Sequence, residues 1–300
     1  PDGKTLYLAA YHYCRYGHAS ADIILSGDWH TFHCVLKMDL TGDKSPELFV
    51  GSLELDKSGT DDKSLFVPAN VTVDKEGRVY VSDYMNDRVQ IFSPDGKLLK
   101  SLAVISPSQV SIHAKTQEIY VFSSTIFTDG RGSGIKRKIP AKACLTIFEE
   151  FSKATKKKEI NLPKEYSDYG LSDWYLGGLG FPLNAIGEVH GEETNIWLVR
   201  EWLRKNVMST PVSSNVRIYS LVNDTLVEKV DFDKEVAKKN INLFPPADSR
   251  VRLYVNPKNQ RLYVAEGGTY LGKAFKVIKE VDPVTGATTK IDIPFDAEDM

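Results

Sequence analysis

Three hundred residues with a net charge of −2, 42% of them hydrophobic and 26% charged, can build a sizeable core but have no chain-wide bias toward nucleic acid or anionic lipid. No apolar run approaches the roughly 18–20 residues that a helical membrane span requires. Three cysteines, Cys14, Cys34 and Cys144, are too few for a disulfide framework. A single bridge between Cys14 and Cys34, which flank one long loop, stays open.

The chain begins on "PDGKTLYLAA", a turn entering a strand, with no signal peptide in view. We expect the natural protein to start earlier, with a secreted or periplasmic location favoured. A strand around Leu6–Leu8 is followed by an insertion over about residues 10–31, a second strand at 33–40 and the polar turn "TGDKSP". The next unit is the clearest. Val79 and Val81 alternate with Tyr80 and Ser82, and Val89 and Ile91 with Gln90 and Phe92, which is the period of a two-faced strand. "SPDGK" is a tight turn in which Gly96 supplies a positive φ. Four strands follow, a to d, at 69–74, 78–83, 88–93 and 97–104. Four antiparallel strands in about 40 residues make a sheet too small to bury both faces alone, so such units stack on one another.

Copies of strand b recur after polar turns: Leu6-Tyr7-Leu8, Val79-Tyr80-Val81, Ile119-Tyr120-Val121, Ile196-Trp197-Leu198 and Leu262-Tyr263-Val264. A strand c follows each, at 33–40, 88–93, 144–150, 216–221 and 275–282, and a strand d closes each unit, as in "KIDIP" at 290–294. A two-layer sandwich is the competing arrangement, but sandwiches rarely repeat one turn in one register. The expected fold is therefore all-β, a β-propeller of four-stranded antiparallel blades. One domain over 1–300 holds blades at about 1–52, 65–104, 108–162, 182–232 and 249–294, with 295–300 starting or completing another.

The unit at 65–104 resembles the NHL repeat of β-propellers. The residues that carry the resemblance are Phe66, Pro68, Val71, Val73, Asp74, Gly77, Tyr80, Val81, Asp83, Asn86, Arg88, Val89, Phe92, Asp95 and Gly96. The other units share its strand pattern only. The resemblance implies a ring of six blades, of which five are largely visible here.

The a–b and c–d turns are short, whereas the long segments are all b–c or d–a connections: about 10–31, 123–143, 200–214 and 266–274 between b and c, and 51–66, 161–182 and 231–248 between d and a. Within the last, "DKEVAKKNINL" is expected to form a short helix. In a propeller blade these connections leave on one face of the disc, which makes that face the expected working face. Its binding candidates are Arg131, Lys136, Arg137 and Lys138 in the third insertion, and Arg200, Trp202 and Arg204 in the fourth. Basic side chains interleaved with aromatics suit a phosphate backbone and stacked bases, but Asp129, Asp173 and Glu201 dilute the charge, so RNA is not favoured and a protein or small-molecule ligand is expected.

Four of the six histidines, His12, His18, His30 and His33, sit in or beside the first insertion, and neutral imidazoles bind divalent metals such as zinc. Calcium is the other divalent ion considered. Their spacing fits no zinc-finger, HExxH or haem motif. The NHL fold also resembles that of peptidylglycine-type lyases, whose metal site lies at the central channel. That resemblance puts His113 and His190 together with a first-loop histidine as a metal trio. There is no G-x-S-x-G, P-loop or paired nucleophile and base. A non-catalytic binding platform is the favoured function, with a metal-dependent enzyme or redox-protein domain as the alternative.

Overall fold

The computed structural model describes residues 3–10, 32–42, 45–55, 57–123, 143–163, 186–190, 194–200, 215–231, 250–255, 262–267, 275–281 and 287–291. They form five antiparallel sheets, each made of strands consecutive in the chain. The first holds β1 (Thr5–Ala10), β2 (His33–Asp39) and β3 (Glu47–Ser52). The second holds β4 (Pro68–Val73), β5 (Val79–Asp83), β6 (Arg88–Phe92) and β7 (Leu98–Ala103). The third holds β8 (Pro107–Ile112), β9 (Ile119–Ser123), β10 (Cys144–Phe148) and β11 (Lys156–Asn161). The fourth runs from β12 (Ile186–His190) through β13 (Asn195–Arg200) and β14 (Asn215–Val222) to β15 (Thr225–Asp231). The fifth comprises β16 (Arg250–Val255), β17 (Leu262–Gly267), β18 (Phe275–Val281) and β19 (Thr288–Ile291).

The fold is thus all-β and built of propeller-type blades, and among the described residues the first sheet holds three strands, in the positions of b, c and d. Every expected b and c strand is present. Strand d of the fifth sheet starts two residues earlier than expected. Strand c of the third ends at Phe148, where a bulge shifts the register and leaves Glu149 and Glu150 to the turn. No α-helix occurs among the described residues, and none is long and apolar enough to cross a membrane. The helix expected within 233–243 lies outside them. The first three sheets belong to one compact unit and the last two to a second.

Within the first unit, strand alternation decides which side chains face which neighbour. Val79, Val81 and Phe92 of the second sheet pack with Val35 and Val50 of the first and with Leu65. Tyr80, Val89, Ile91 and Leu102, on the opposite face, pack with Val110, Ile119, Val121 and Phe148 of the third. Each such fully buried side chain contributes about 1.5–3 kcal/mol. A polar joint ties the same two sheets at the a–b end. The Arg78 guanidinium lies 4.3 Å from the Phe151 ring centroid, and the Lys100 ammonium lies 4.9 Å from it. Lys100 Nζ also donates to the Phe151 carbonyl at 2.8 Å.

In a meander of strands a to d, the b–c and d–a connections leave the same end, so each sheet here sends its long connections from one end. Gly51 sits where the 53–67 connection departs. Its φ is +94°, and a Cβ there would lie 2.1 Å from the His33 carbonyl oxygen. Gly51→Ala should therefore lower the unfolding free energy by about 3 kcal/mol in urea denaturation. A change under about 0.5 kcal/mol would contradict this backbone geometry.

Candidate functional site

The b–c end of the second sheet is organised by one carboxylate. Asp83 closes β5, and its side chain is fully buried. A buried charge needs partners on every side. Asp83 Oδ1 accepts the Phe66 backbone N–H at 2.7 Å. Oδ2 accepts from Arg88 Nε at 2.7 Å and from Asn86 Nδ2 at 2.8 Å. Burial raises the carboxyl above its ordinary range, and these three donors offset only part of that rise. Arg88 then spends its other donors on the 53–67 connection, bonding the carbonyls of Thr60, Asp61 and Ser64. Asn86 reaches the Gly59 carbonyl at 2.8 Å. Asp83, Asn86 and Arg88 converge because a short 3-10 turn, Tyr84–Asn86, joins β5 to β6. They form a clamp that holds the d–a connection onto the sheet.

Two corners complete this end. Val67 and Ser106 precede the prolines that open β4 and β8, and both have positive φ, 59° and 50°. For a buried β-branched residue that conformation is strained. Each corner N–H is held by a side chain of the preceding sheet's b–c end. Val67 N donates to His33 Nδ1 at 3.1 Å, and Ser106 N to Asp87 Oδ1 at 2.8 Å. The His33 ring also stands edge-on to Phe66, 5.3 Å between centroids. His33 is thus a buried acceptor at the b–c end.

His113 lies at the other end. It follows β8, in the a–b turn, where Nδ1 accepts the N–H groups of Lys115 and Thr116 at 3.3 and 3.1 Å. Asp74 does the same work in the second sheet, accepting from the N–H groups of Glu76 and Arg78. It also takes Arg78 Nε at 2.6 Å and the Tyr80 hydroxyl at 2.8 Å, and burial together with that carboxylate raises the Tyr80 phenol. His190, opposite Asn195 at the end of β12, falls in the same register as His113 and Asp74. His33 and His113 therefore occupy opposite ends of their sheets, and no group of three potential metal ligands occurs among the described residues. His12, His18, His30, Cys14, Arg131, Lys136, Arg137, Lys138, Trp202 and Arg204 lie outside the described residues. Arg200 ends β13 at the b–c end, in the register of Asp83.

The third sheet shows what replaces the clamp when the b–c connection is long. Ser123 and Cys144 stand opposite each other where the second sheet has Asp83 and Arg88. Both are buried, and burial pushes the Cys144 thiol up.

No protein-family model matches the chain, and no curated protein matches it. Solved structures with a general likeness include hydrazine synthase of Kuenenia stuttgartiensis, at 13% identity and TM-score 0.45, covering 93% of this chain and 69% of that one. A protein of unknown function from Bacteroides thetaiotaomicron has 9% identity and TM-score 0.47, covering 96% and 64%. Virginiamycin B lyase from Staphylococcus aureus, solved with quinupristin, has 13% identity and TM-score 0.42, covering 98% and 75%. Likenesses at this level say nothing of activity, and the blade architecture stands on the sheet order itself.

Two outcomes test the site. Arg88→Met leaves the Asp83 carboxylate buried without its cation, so stability should fall by about 3 kcal/mol and protease should cut preferentially within 53–66. An unchanged cleavage pattern would mean that the clamp does not hold the connection. Burial lowers the His113 pKa from the ordinary imidazole value of 6.5, so the fold favours the neutral ring. Its contribution is complete above that value and is lost as pH falls through the lowered folded value. His113→Asn keeps an acceptor at every pH, so urea midpoints between pH 7.5 and 5 should fall less steeply in the variant than in the wild type. Parallel profiles would refute this role.

Proposed function

We propose that the chain is a non-catalytic binding platform, its sheets consecutive NHL-like blades of one propeller, six in the ring. It takes a protein or small-molecule ligand on the face from which the b–c and d–a connections leave. The observation that carries this reading is the clamp. A buried carboxylate, an amide and a guanidinium hold a d–a connection rigidly at that end, and a preorganised surface binds without a large ordering cost. Side-chain acceptors brace the corners beside it. The basic segment 131–138, with Arg200, Trp202 and Arg204, belongs to connections leaving the same end of their sheets.

The concentration of His12, His18, His30 and His33 around the first insertion favours one second reading, a metal-dependent enzyme or redox domain using zinc or another divalent ion. His33 Nδ1 is already committed to the Val67 N–H.

Affinity capture with the intact chain and with a deletion of 128–142, followed by elemental analysis of both, separates the readings. The platform predicts a partner retained by the intact chain, lost on deletion, and no stoichiometric metal. Stoichiometric zinc that disappears in His12→Ala and His30→Ala variants would overturn it in favour of the second reading. RNA as the ligand would show itself by a steep loss of affinity with salt.

A further inference from the structure

Beside the clamp, the start of the 53–67 connection and the outer strand β3 enclose an open recess of about 520 Å³, lined by Leu48, Leu53, Glu54, Lys57, Lys63 and Ser64 among others. Its volume falls in the range of ligand sites, about 300–1,000 Å³. Three features distinguish it from an ordinary surface dip.

Its walls are fixed. Gly51 N donates to the Lys63 carbonyl at 3.1 Å, and Gly59 N to that of Leu65 at 3.2 Å. Asp61 accepts from Lys63 N at 2.8 Å and from the Ser64 hydroxyl at 2.7 Å, while Arg88 holds the carbonyls of Asp61 and Ser64 from below. Its rim is open and sets two exposed leucines, Leu48 at 44% and Leu53 at 54%, among charged and hydroxyl side chains. Isolated exposed leucines need no explanation, but grouped around a rigid concavity they mark a contact surface. Its charge is unbalanced. Lys57 is paired with Glu54 at 2.6 Å, whereas the Lys63 ammonium has no carboxylate in ion-pair reach among the described residues.

We propose that this recess binds an extended peptide segment that places an apolar side chain beside a carboxylate. The apolar side chain rests between Leu48 and Leu53, and the carboxylate meets Lys63. The open mouth and the hydroxyls of Ser52 and Ser64 suit a peptide backbone better than an acyl chain, which needs a closed apolar tunnel. The site deepens the reading of this face as the working face and rests on it.

The probe is the tripeptide N-acetyl-Leu-Leu-Asp, titrated into the full isotope-labelled chain and followed by backbone amide shifts. The expected result is saturable shifts confined to residues 48–64, with a Kd of about 1 mM or tighter. Affinity should fall at least about fivefold for the amidated Leu-Leu-Asn analogue and for Lys63→Glu, roughly the loss of one exposed ion pair. Leu53→Asp should abolish binding while leaving the remaining amide shifts in place, which shows that the variant is folded. Three results would each overturn the proposal: no saturable shift to about 5 mM, equal binding by Lys63→Glu, or equal occupancy by decanoate. Failure here with capture still lost on deleting 128–142 would remove this site and leave the platform standing. Failure of both would remove the working face itself.

Discussion

A carboxylate sealed from water has to be surrounded by donors, and at Asp83 that requirement organises one end of a sheet. Its two oxygens take donors from Phe66, Asn86 and Arg88, groups that belong to a connection, a turn and a strand. Arginine suits this place because its planar fork presents donors in several directions at once, one to the carboxylate and others to three carbonyls of a neighbouring segment. Lysine would supply the charge without the reach. Leu65 and Val67 bury the end of the connection in the core, and the clamp fixes the polar stretch 59–64 that precedes them.

The sheets beneath are held by simpler physics. Alternation sends Val79 and Val81 one way and Tyr80 and Ile91 the other, so a single thin sheet contributes to two cores. Polar work is pushed to the strand ends. At the a–b end Asp74 and His113 accept turn N–H groups, and at the b–c end His33 and Asp87 accept the N–H groups of strained corners. Side-chain acceptors thus do at the margins what ladder bonds do inside, and both strand ends are braced.

The strands were legible because period two is a local signal, and their turns carry glycine at Gly77 and Gly96, both at positive φ. The clamp was half legible. Asp83, Asn86 and Arg88 stood out as NHL-like residues, but their partners are the carbonyls of Gly59, Thr60, Asp61 and Ser64, and no side-chain pattern announces a carbonyl. His113 and His190 were read for imidazole's affinity for metals. Only strand pairing reveals that they share the register of Asp74, and then the turn-accepting role of His113 follows. The recess at Leu48 and Leu53 had no sequence signal, since its shape comes from a connection folded back by Arg88. Apart from Arg200 at the end of β13, the insertion candidates fall outside the described residues, so the sequence remains the basis for assigning them to the face.

The central claim is that the Asp83 clamp makes the 53–67 connection as rigid as the sheet carrying it. Native-state hydrogen exchange at the Phe66 and Val67 amides tests this most directly, because their acceptors are the Asp83 carboxylate and the His33 ring. The account predicts protection comparable to that of the Val81 and Val89 amides in the neighbouring strands. Exchange at the rate of an open loop, with the strands still protected, would contradict it.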